Sequence, residues 1–203
     1  MIAVITGDII GSATTPSGNW MPLLKTFLSR QGTTPRDWEI YRGDAFQLKL
    51  KPEEALYKSI ELKSIIKQQP ELDVRISIGI GDSNYTTEKI TESNGTAFIR
   101  SGRKFDALKE EKTTLAFATG DAHTDTTLNL IARFASLIMD NWSAVAAATV
   151  QLFLERPEWN QQQLAEHLKI NQSAVSQSRK RAQLDLLLEF NTYYKNILND
   201  LTP

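Results

Sequence analysis

The chain has 203 residues, of which 41% are hydrophobic and 23% charged, and its net charge is −1. This composition is typical of a globular protein, and the length suits one domain of ordinary size with a smaller second one. The absence of cysteine excludes disulfides, zinc–thiolate sites and cysteine nucleophiles, and it favours a cytoplasmic location. The apolar stretch 128–154 contains Arg133, Asp140 and several amides, which excludes an ordinary membrane span.

Strand and helix patterns alternate through the first 120 residues. The predicted elements are, in chain order, strand 1–7, helix 19–31, strands 38–41 and 46–50, helix 52–69, strand 74–80, helix 96–111 and strand 115–119. The first six follow the order of a split βαβ, ferredoxin-like sheet. Asn19 is expected to cap the first helix, and Gly102 to let the third helix approach the sheet closely.

From about Thr124 onward the pattern is entirely helical. This change of class predicts an α/β domain over 1–122, a linking or dimerisation helix over 123–142 and a helical domain over 143–203. One stripe of the linking helix is apolar and either forms a dimer contact or packs on the protein's own core. Its members are Leu128, Ile131, Ala135, Ile138 and Trp142.

Two aspartates suggest a metal site. Asp8 follows the first strand and Asp44 lies in the predicted hairpin turn, so the two carboxylates can face one another at one edge of the sheet. Mg²⁺ and Mn²⁺ prefer such oxygen ligands, and the loop 11–18 could offer backbone N–H groups to a triphosphate. The alternative is that both are ordinary turn residues, since Gly-Asp is a common turn pair.

A second polar group, Gly-Asp-Ala-His-Thr-Asp, spans 120–125. Asp121, His123 and Asp125 could bind a metal. The preferred interpretation is a strand-to-helix turn in which Asp121 or Thr124 caps the helix.

Four segments of the first 120 residues resemble class III nucleotide cyclases in the same order. They are Gly7-Asp8-Ile9-Ile10-Gly11-Ser12, Arg42-Gly43-Asp44-Ala45, the strand 75–81 and the helix beginning 95–103. The resemblance implies that Asp8, the Ile9 carbonyl and Asp44 bind the metal. It also implies nucleotide contacts and a transition-state arginine. The expected nucleotide contacts are Gly11, Ser12, Gly43 and Arg100, and the catalytic arginine is Arg103.

Two positions depart from the cyclase pattern. Ile40 stands where a cyclase carries its base-reading lysine, and Ile99 where it carries its transition-state asparagine. Phosphoryl transfer depends on such positioning and charge-stabilising groups. The pattern therefore predicts a site that binds metal or nucleotide but lacks part of the catalytic set.

The whole chain is more similar to the SatD family. The resemblance lies in the Gly-Asp start, the Arg-Gly-Asp-x-Phe hairpin from Arg42, the stretch Gly95 to Arg103 and a C-terminal helix-turn-helix.

The segment 160–182 has the pattern of a helix-turn-helix. Asn160 and Gln163 can form a capping box, and Asn171 or Gln172 can cap the second helix. Lys169 stands where a glycine usually occupies the turn, and a left-handed backbone there would cost roughly 1 kcal/mol. The expected core positions are Leu164, Leu168, Ile170 and Val175.

Polar and basic side chains on the second helix suit DNA, because amides and hydroxyls read base edges and cations contact phosphates. The predicted DNA contacts are Gln172, Ser173, Ser176, Gln177, Arg179, Lys180 and Arg181. Residues 143–203 carry six basic and six acidic side chains, so any DNA-binding charge is local and a homodimer would be needed for tight binding.

Three functions are consistent with these patterns. The first is a DNA-binding transcriptional regulator whose cyclase-like domain binds a divalent metal or a nucleotide. The second is a metal-dependent nucleotide-processing enzyme that uses Asp8 and Asp44. The third is an inert scaffold whose helix-turn-helix docks protein.

Overall fold

The computed structural model describes residues 1–85 and 87–200. Within these residues the chain forms five strands and eight α-helices. They are β1 (Ile2–Ile10), α1 (Met21–Ser29), β2 (Trp38–Tyr41), β3 (Ala45–Leu50), α2 (Ala55–Ile66), β4 (Asp73–Gly81), α3 (Thr96–Glu111), β5 (Leu115–Ala118), α4 (Ala122–Met139), α5 (Ala144–Glu155), α6 (Gln161–Leu168), α7 (Gln172–Arg181) and α8 (Leu184–Asp200). No helix in the described part is long and apolar enough to cross a membrane.

The strands form one mixed sheet in the order β2-β3-β1-β4-β5. The pairs β2–β3, β3–β1 and β1–β4 are antiparallel, and β5 runs parallel to β4. The βαββαβ part therefore has the ferredoxin-like strand order that the sequence predicts. Strand β1 is longer than predicted, because its pairing with β4 continues to Ile10, so Asp8 lies inside the strand and not after it.

Both faces of the sheet are covered. On one face Ile5 and Ile9 of β1 share a core with α1 and α2, and on the other Val4 packs with Phe98 of α3. A strand that is buried on both faces carries apolar side chains at successive positions, which explains the apolar residues at the start of the sequence. The glycine that lets α3 approach is Gly79 of β4, where a Cβ would meet the Ala97 carbonyl at 2.3 Å. Gly102 has open space around it, so its predicted role is wrong.

The start of α1 also differs from the prediction. Asn19 belongs to a short 3-10 turn, and the helix begins after Trp20 without a side-chain cap. The indole of Trp20 is buried in the core, and this packing fixes the entry of the helix.

The C-terminal helices add a further layer to the sheet core. Helix α5 packs on α2, and α8 packs on both α2 and α4. As a result α2 is buried nearly all round, including Lys63, whose ammonium lies 2.6 Å from the carboxylates of both Asp73 and Asp140. The buried phenol of Tyr194 donates to the Pro52 carbonyl at 2.7 Å, which ties α8 to the start of α2.

The predicted apolar stripe of the linking helix is divided: three of its five members pack in the protein's own core, and Ile131 and Ile138 are only partly buried and line a groove beside α8. Leu128, Ala135 and Trp142 are buried there. The division into units 1–122, 123–142 and 143–203 stays a prediction, and residues 201–203 of the last unit lie outside the described residues.

Candidate functional site

The Asp8 carboxylate lies in the middle of a row of side chains that crosses the sheet. The register pairs Tyr41 with Ala45, Ala45 with Asp8, and Asp8 with Arg75, so all four belong to neighbouring strands at one level. Helix α3 covers this face, and its last turns bring Lys109 to the row. Asp8 is only 7% exposed.

Arg75 neutralises Asp8. Its Nε donates to one carboxylate oxygen at 2.9 Å and its Nη2 to the other at 2.9 Å. This two-bond geometry is the strongest that a carboxylate forms with a cation. The Nζ of Lys109 lies 3.7 Å from the same carboxylate. Both oxygens of Asp8 are therefore already engaged by protein.

Tyr41 and Asp106 complete what we call the Asp8 cluster, together with Asp8, Arg75 and Lys109. Burial raises the pKa of the Tyr41 phenol, the Arg42 cation opposes the rise, and the negative charges of Asp106 and Asp8 add to it. The phenol is thus held neutral beside a paired carboxylate.

Asp44 lies at the same end of the sheet, in the turn between β2 and β3. Ser12, in the loop that follows β1, donates a short hydrogen bond to the Asp44 carboxylate. The turn contains Arg42 and Gly43 with φ of 52° and 90°, and Gly11 has a φ of 84°. Both glycines are therefore required by backbones that L side chains rarely adopt.

The loop 11–18 uses part of its own backbone internally. The N–H groups of Thr14 and Thr15 both donate to the Gly11 carbonyl at 3.1 Å. Those two donors are not free to bind phosphate. The third predicted metal ligand is the backbone carbonyl of Ile9. This residue lies opposite Val74 in the β1–β4 ladder, and its side chain is buried.

The two predicted arginines lie elsewhere. Arg100 donates through Nη1 to the Ile80 carbonyl at 2.6 Å and packs against Gly120. Ile80 is five residues along β4 from Arg75, a separation of roughly 17 Å in a strand. Arg103 is exposed on α3. The fold thus brings Asp8, Asp44, Ser12 and the two turn glycines to one end of the sheet and places Arg100 at the other.

In this arrangement Asp8 is paired with Arg75 and Asp44 accepts from Ser12, so a Mg²⁺ or Mn²⁺ ion bound by both carboxylates would compete with these partners. Among residues 1–85 and 87–200, no group of three or more His, Asp or Glu side chains could hold a metal ion. The second polar group behaves as the preferred turn: Asp121 caps α4 by accepting from the Thr124 N–H, and Asp125 accepts from Thr119.

A second candidate region is the pair of helices α6 and α7 with the turn between them. Asn160 and Gln163 form the predicted capping box, and the Asn171 side chain caps α7 by accepting from the Ala174 N–H. The backbone of Lys169 is left-handed, with a φ of 54°. A residue other than glycine is strained in this conformation. A small apolar cluster holds the unit together. It contains Leu152, Leu164, Ala165 and Val175, with Phe153, Trp159, Leu168 and Ile170 packed against it.

The polar side chains predicted on α7 face solvent. Those exposed are Gln172, Ser173, Ser176, Gln177, Lys180 and Arg181. Within the described part of the chain, neither Lys180 nor Arg181 forms an ion pair. Arg179 has a different environment: its guanidinium lies 4.7 Å from the Phe153 ring centre and donates to Asp185 of α8, so it holds α7 against the body.

Four groups of the Asp8 cluster were not predicted from the sequence, namely Tyr41, Arg75, Asp106 and Lys109. A signal existed for one of them, because Arg75 is the single charged side chain between the first and last residues of an otherwise apolar strand, and a buried charge requires a partner. No comparable signal marked Lys109, which reaches Asp8 only because α3 packs across the sheet.

Comparison with known protein families identifies the family of this chain. The family model described as SatD family matches residues 2–198, which is nearly the whole chain. No curated protein and no solved structure matches the chain. The match spans the sheet, the Asp8 cluster and the α6–α7 unit alike, and the chain therefore belongs to the SatD family.

Proposed function

We propose that this SatD family protein is a DNA-binding transcriptional regulator and that α6 and α7 are its helix-turn-helix. The observation that carries the proposal is the exposed face of α7, where amides and hydroxyls occupy the N-terminal half and unpaired cations follow. A recognition helix enters the major groove with its N-terminal residues at the base edges, and backbone phosphates flank that groove.

The rigidity of the unit supports the same function. Both helices are capped by asparagine side chains, and the small cluster around Leu164 and Val175 fixes their crossing. Base readout requires side chains presented at fixed spacing, which a packed and capped helix provides. Arg179 adds to this by anchoring α7 to Phe153 and Asp185.

The charge of the unit sets the expected mode of binding. One α7 offers few phosphate contacts, and the salt-dependent part of DNA affinity grows with the number of such contacts. Two units acting together on half-sites about one helical turn apart would double that number. The proposal therefore includes a homodimer.

The experiment is selection from a random duplex library at low salt, followed by fluorescence anisotropy on the enriched sequence. We expect enrichment of a two-part site, and loss of the preference in Ser176→Ala/Gln177→Ala. Asn196→Ala, which removes an exposed amide from α8, should bind like the wild type. If no sequence is enriched, and binding does not exceed that of random DNA, the α6–α7 unit is a protein-docking module on an inert scaffold.

A second function is nucleotide sensing or processing with Mg²⁺ or Mn²⁺ at the Asp8 end of the sheet. One observation favours it: the strand register brings Asp8 and Asp44 to the same end, beside Ser12. Against it stands the Arg75 pair, which must open before Asp8 can take another partner. The cyclase-like nature of this domain is part of that second proposal.

Thermal unfolding with each metal and each nucleoside triphosphate tests this second function. A ligand at 100 times its dissociation constant stabilises the folded state by about 2.7 kcal/mol. If the site is used, the wild type should show that shift and Asp8→Asn/Asp44→Asn should lose it. Equal melting temperatures with and without every ligand would leave the Asp8 cluster a structural feature.

A further inference from the structure

Helix α4 has a second apolar face, which its sequence pattern did not predict. Its inner face is buried in the core through Leu128, Ala132 and Met139. Its outer face carries Leu130, Phe134 and Leu137, which are 54%, 62% and 66% exposed. Their spacing of four and three residues places them on one stripe of the helix.

Helix α8 extends this apolar surface. Leu186 and Tyr193 lie two turns apart and are 51% and 44% exposed. Between the two helices runs a groove of about 300 Å³, with Ile131, Ala135 and Ile138 on one wall and Leu187 and Phe190 on the other. Phe134 and Tyr193 stand on its rims. A groove of this size accommodates a large side chain of a packed neighbour.

We propose that a second copy of this chain covers the α4–α8 face, so that the protein is a two-fold symmetric dimer through it. In a two-fold interface the same patch meets itself, so a patch that is both ridge and groove is self-complementary. Phe134 of each copy then enters the groove of the other. The dimer forms in the free protein and does not depend on DNA binding.

The exposed area agrees with a dimer interface. Five large apolar side chains that are each about half exposed present on the order of 400 Å², and contiguous apolar patches of this size are often functional surfaces. A stable interface buries about 800 Å² on each partner, with an apolar centre and a polar rim. The α4–α8 face supplies such a centre, and the polar side chains beside it supply the rim.

The charges beside the patch are complementary under two-fold symmetry. Arg133 precedes Phe134 of the exposed stripe on α4, and Glu189 of α8 lines the groove. Both are exposed, and neither forms an ion pair with any residue of 1–85 or 87–200. In a symmetric pair the arginine of one copy can meet the glutamate of the other, twice per dimer. A membrane-binding helix would instead carry several cations around the apolar face.

The test is molar mass by light scattering and sedimentation over a range of protein concentrations, without DNA. We expect the wild type to approach twice 22.8 kDa and Phe134→Glu to remain at 22.8 kDa. Ile99→Glu is the matched control, since it places the same charge at an exposed apolar position of α3. Circular dichroism establishes that each variant is folded.

A charge exchange tests the pairing itself without touching the apolar patch. Arg133→Glu and Glu189→Arg should each raise the dimer dissociation constant about tenfold, and the double variant should bring it back toward the wild-type value. A wild type that stays monomeric at every concentration overturns the proposal, as does a dimer that persists in Phe134→Glu. A monomer that sediments with anionic lipid vesicles would assign the face to a membrane surface. The DNA selection tests the proposed function, and the molar mass in the absence of DNA tests the α4–α8 dimer. The failure of one proposal can therefore be distinguished from the failure of the other.

Discussion

The Asp8 cluster and the exposed face of α7 were both marked by sequence motifs, yet the fold uses their polar groups in opposite ways. In the Asp8 cluster the carboxylate accepts two hydrogen bonds from Arg75 and is covered by α3. On α7 the amides, hydroxyls and two cations point into solvent from a capped helix. A motif marks a site for an external ligand only where the fold leaves its polar groups free. This difference is why DNA binding, and not metal chemistry, leads the proposed function.

The largest effect expected is on stability at the Asp8 cluster. Arg75→Ala leaves a buried carboxylate with Lys109 as its nearby cation, and removing one partner of a buried pair costs about 3 kcal/mol. Urea unfolding should show that loss. Lys109→Ala is the control, and because this lysine is half exposed at 3.7 Å it should cost less than about 1 kcal/mol.

The opposite outcome would break the comparison. If Arg75→Ala is as stable as the wild type and gains stability with Mg²⁺ or Mn²⁺, then Asp8 is a metal ligand that the arginine masks. The Asp8 end of the sheet would then be a ligand site like the surface of α7.

The next effect is on sequence readout by α7. Gln177→Ala should lose about 2 kcal/mol of affinity for the preferred duplex and relax the preference at one base pair of each half-site. Anisotropy titrations against single-base variants of the site measure both. If every variant duplex loses affinity equally, Gln177 does not read a base.

A smaller effect concerns the phosphates that flank the groove. Lys180→Ala should weaken binding uniformly across sequences and reduce the slope of log affinity against log salt by about one for each phosphate that the lysine neutralises. Lys195→Ala, which removes an exposed cation from α8, should leave the slope unchanged. Equal slopes for wild type and Lys180→Ala would place DNA on another surface.

The smallest effect is the pH dependence contributed by Tyr41. Burial raises its pKa above 10.0 in the folded state, so the stability it contributes is complete below pH 10 and is lost as pH rises through the folded value. Tyr41→Phe should therefore lose less stability above pH 10 than the wild type in urea unfolding. Tyr85→Phe, at an exposed loop position, is the control. An unchanged pH profile in Tyr41→Phe would show that the phenol is not buried beside Asp8.

Local patterns were interpreted correctly wherever one element alone decides them. Helix α3 begins at Thr96 and ends at Glu111 as predicted, and the hairpin around Gly43 joins the two expected strands. The strand order follows because a βαββαβ chain has few ways to pair its strands without crossing connections. The predicted start of α1 was wrong, since burial of Trp20 outweighed the capping preference of Asn19.

The candidate sites show the same limit. The sequence placed Asp8 and Asp44 at one end of the sheet, but it could not pair Asp8 with Arg75 or set Lys109 beside them. It placed Arg100 with the same site, although α3 runs antiparallel to β4 and carries that side chain to the far end. Such placements depend on the direction in which a helix crosses the sheet.

By itself the sequence determined the order of elements, the capping box of Asn160 and Gln163, and the polar surface of α7, because these depend on side chains a few residues apart. The tertiary structure alone decided that Lys63 and Glu61 are buried in α2, that Asp8 is neutralised by Arg75, and that α4 keeps a second apolar face uncovered. The physical reason is that burial and charge pairing are properties of packed elements. The sequence records which side chains are available, and the packing selects those that meet.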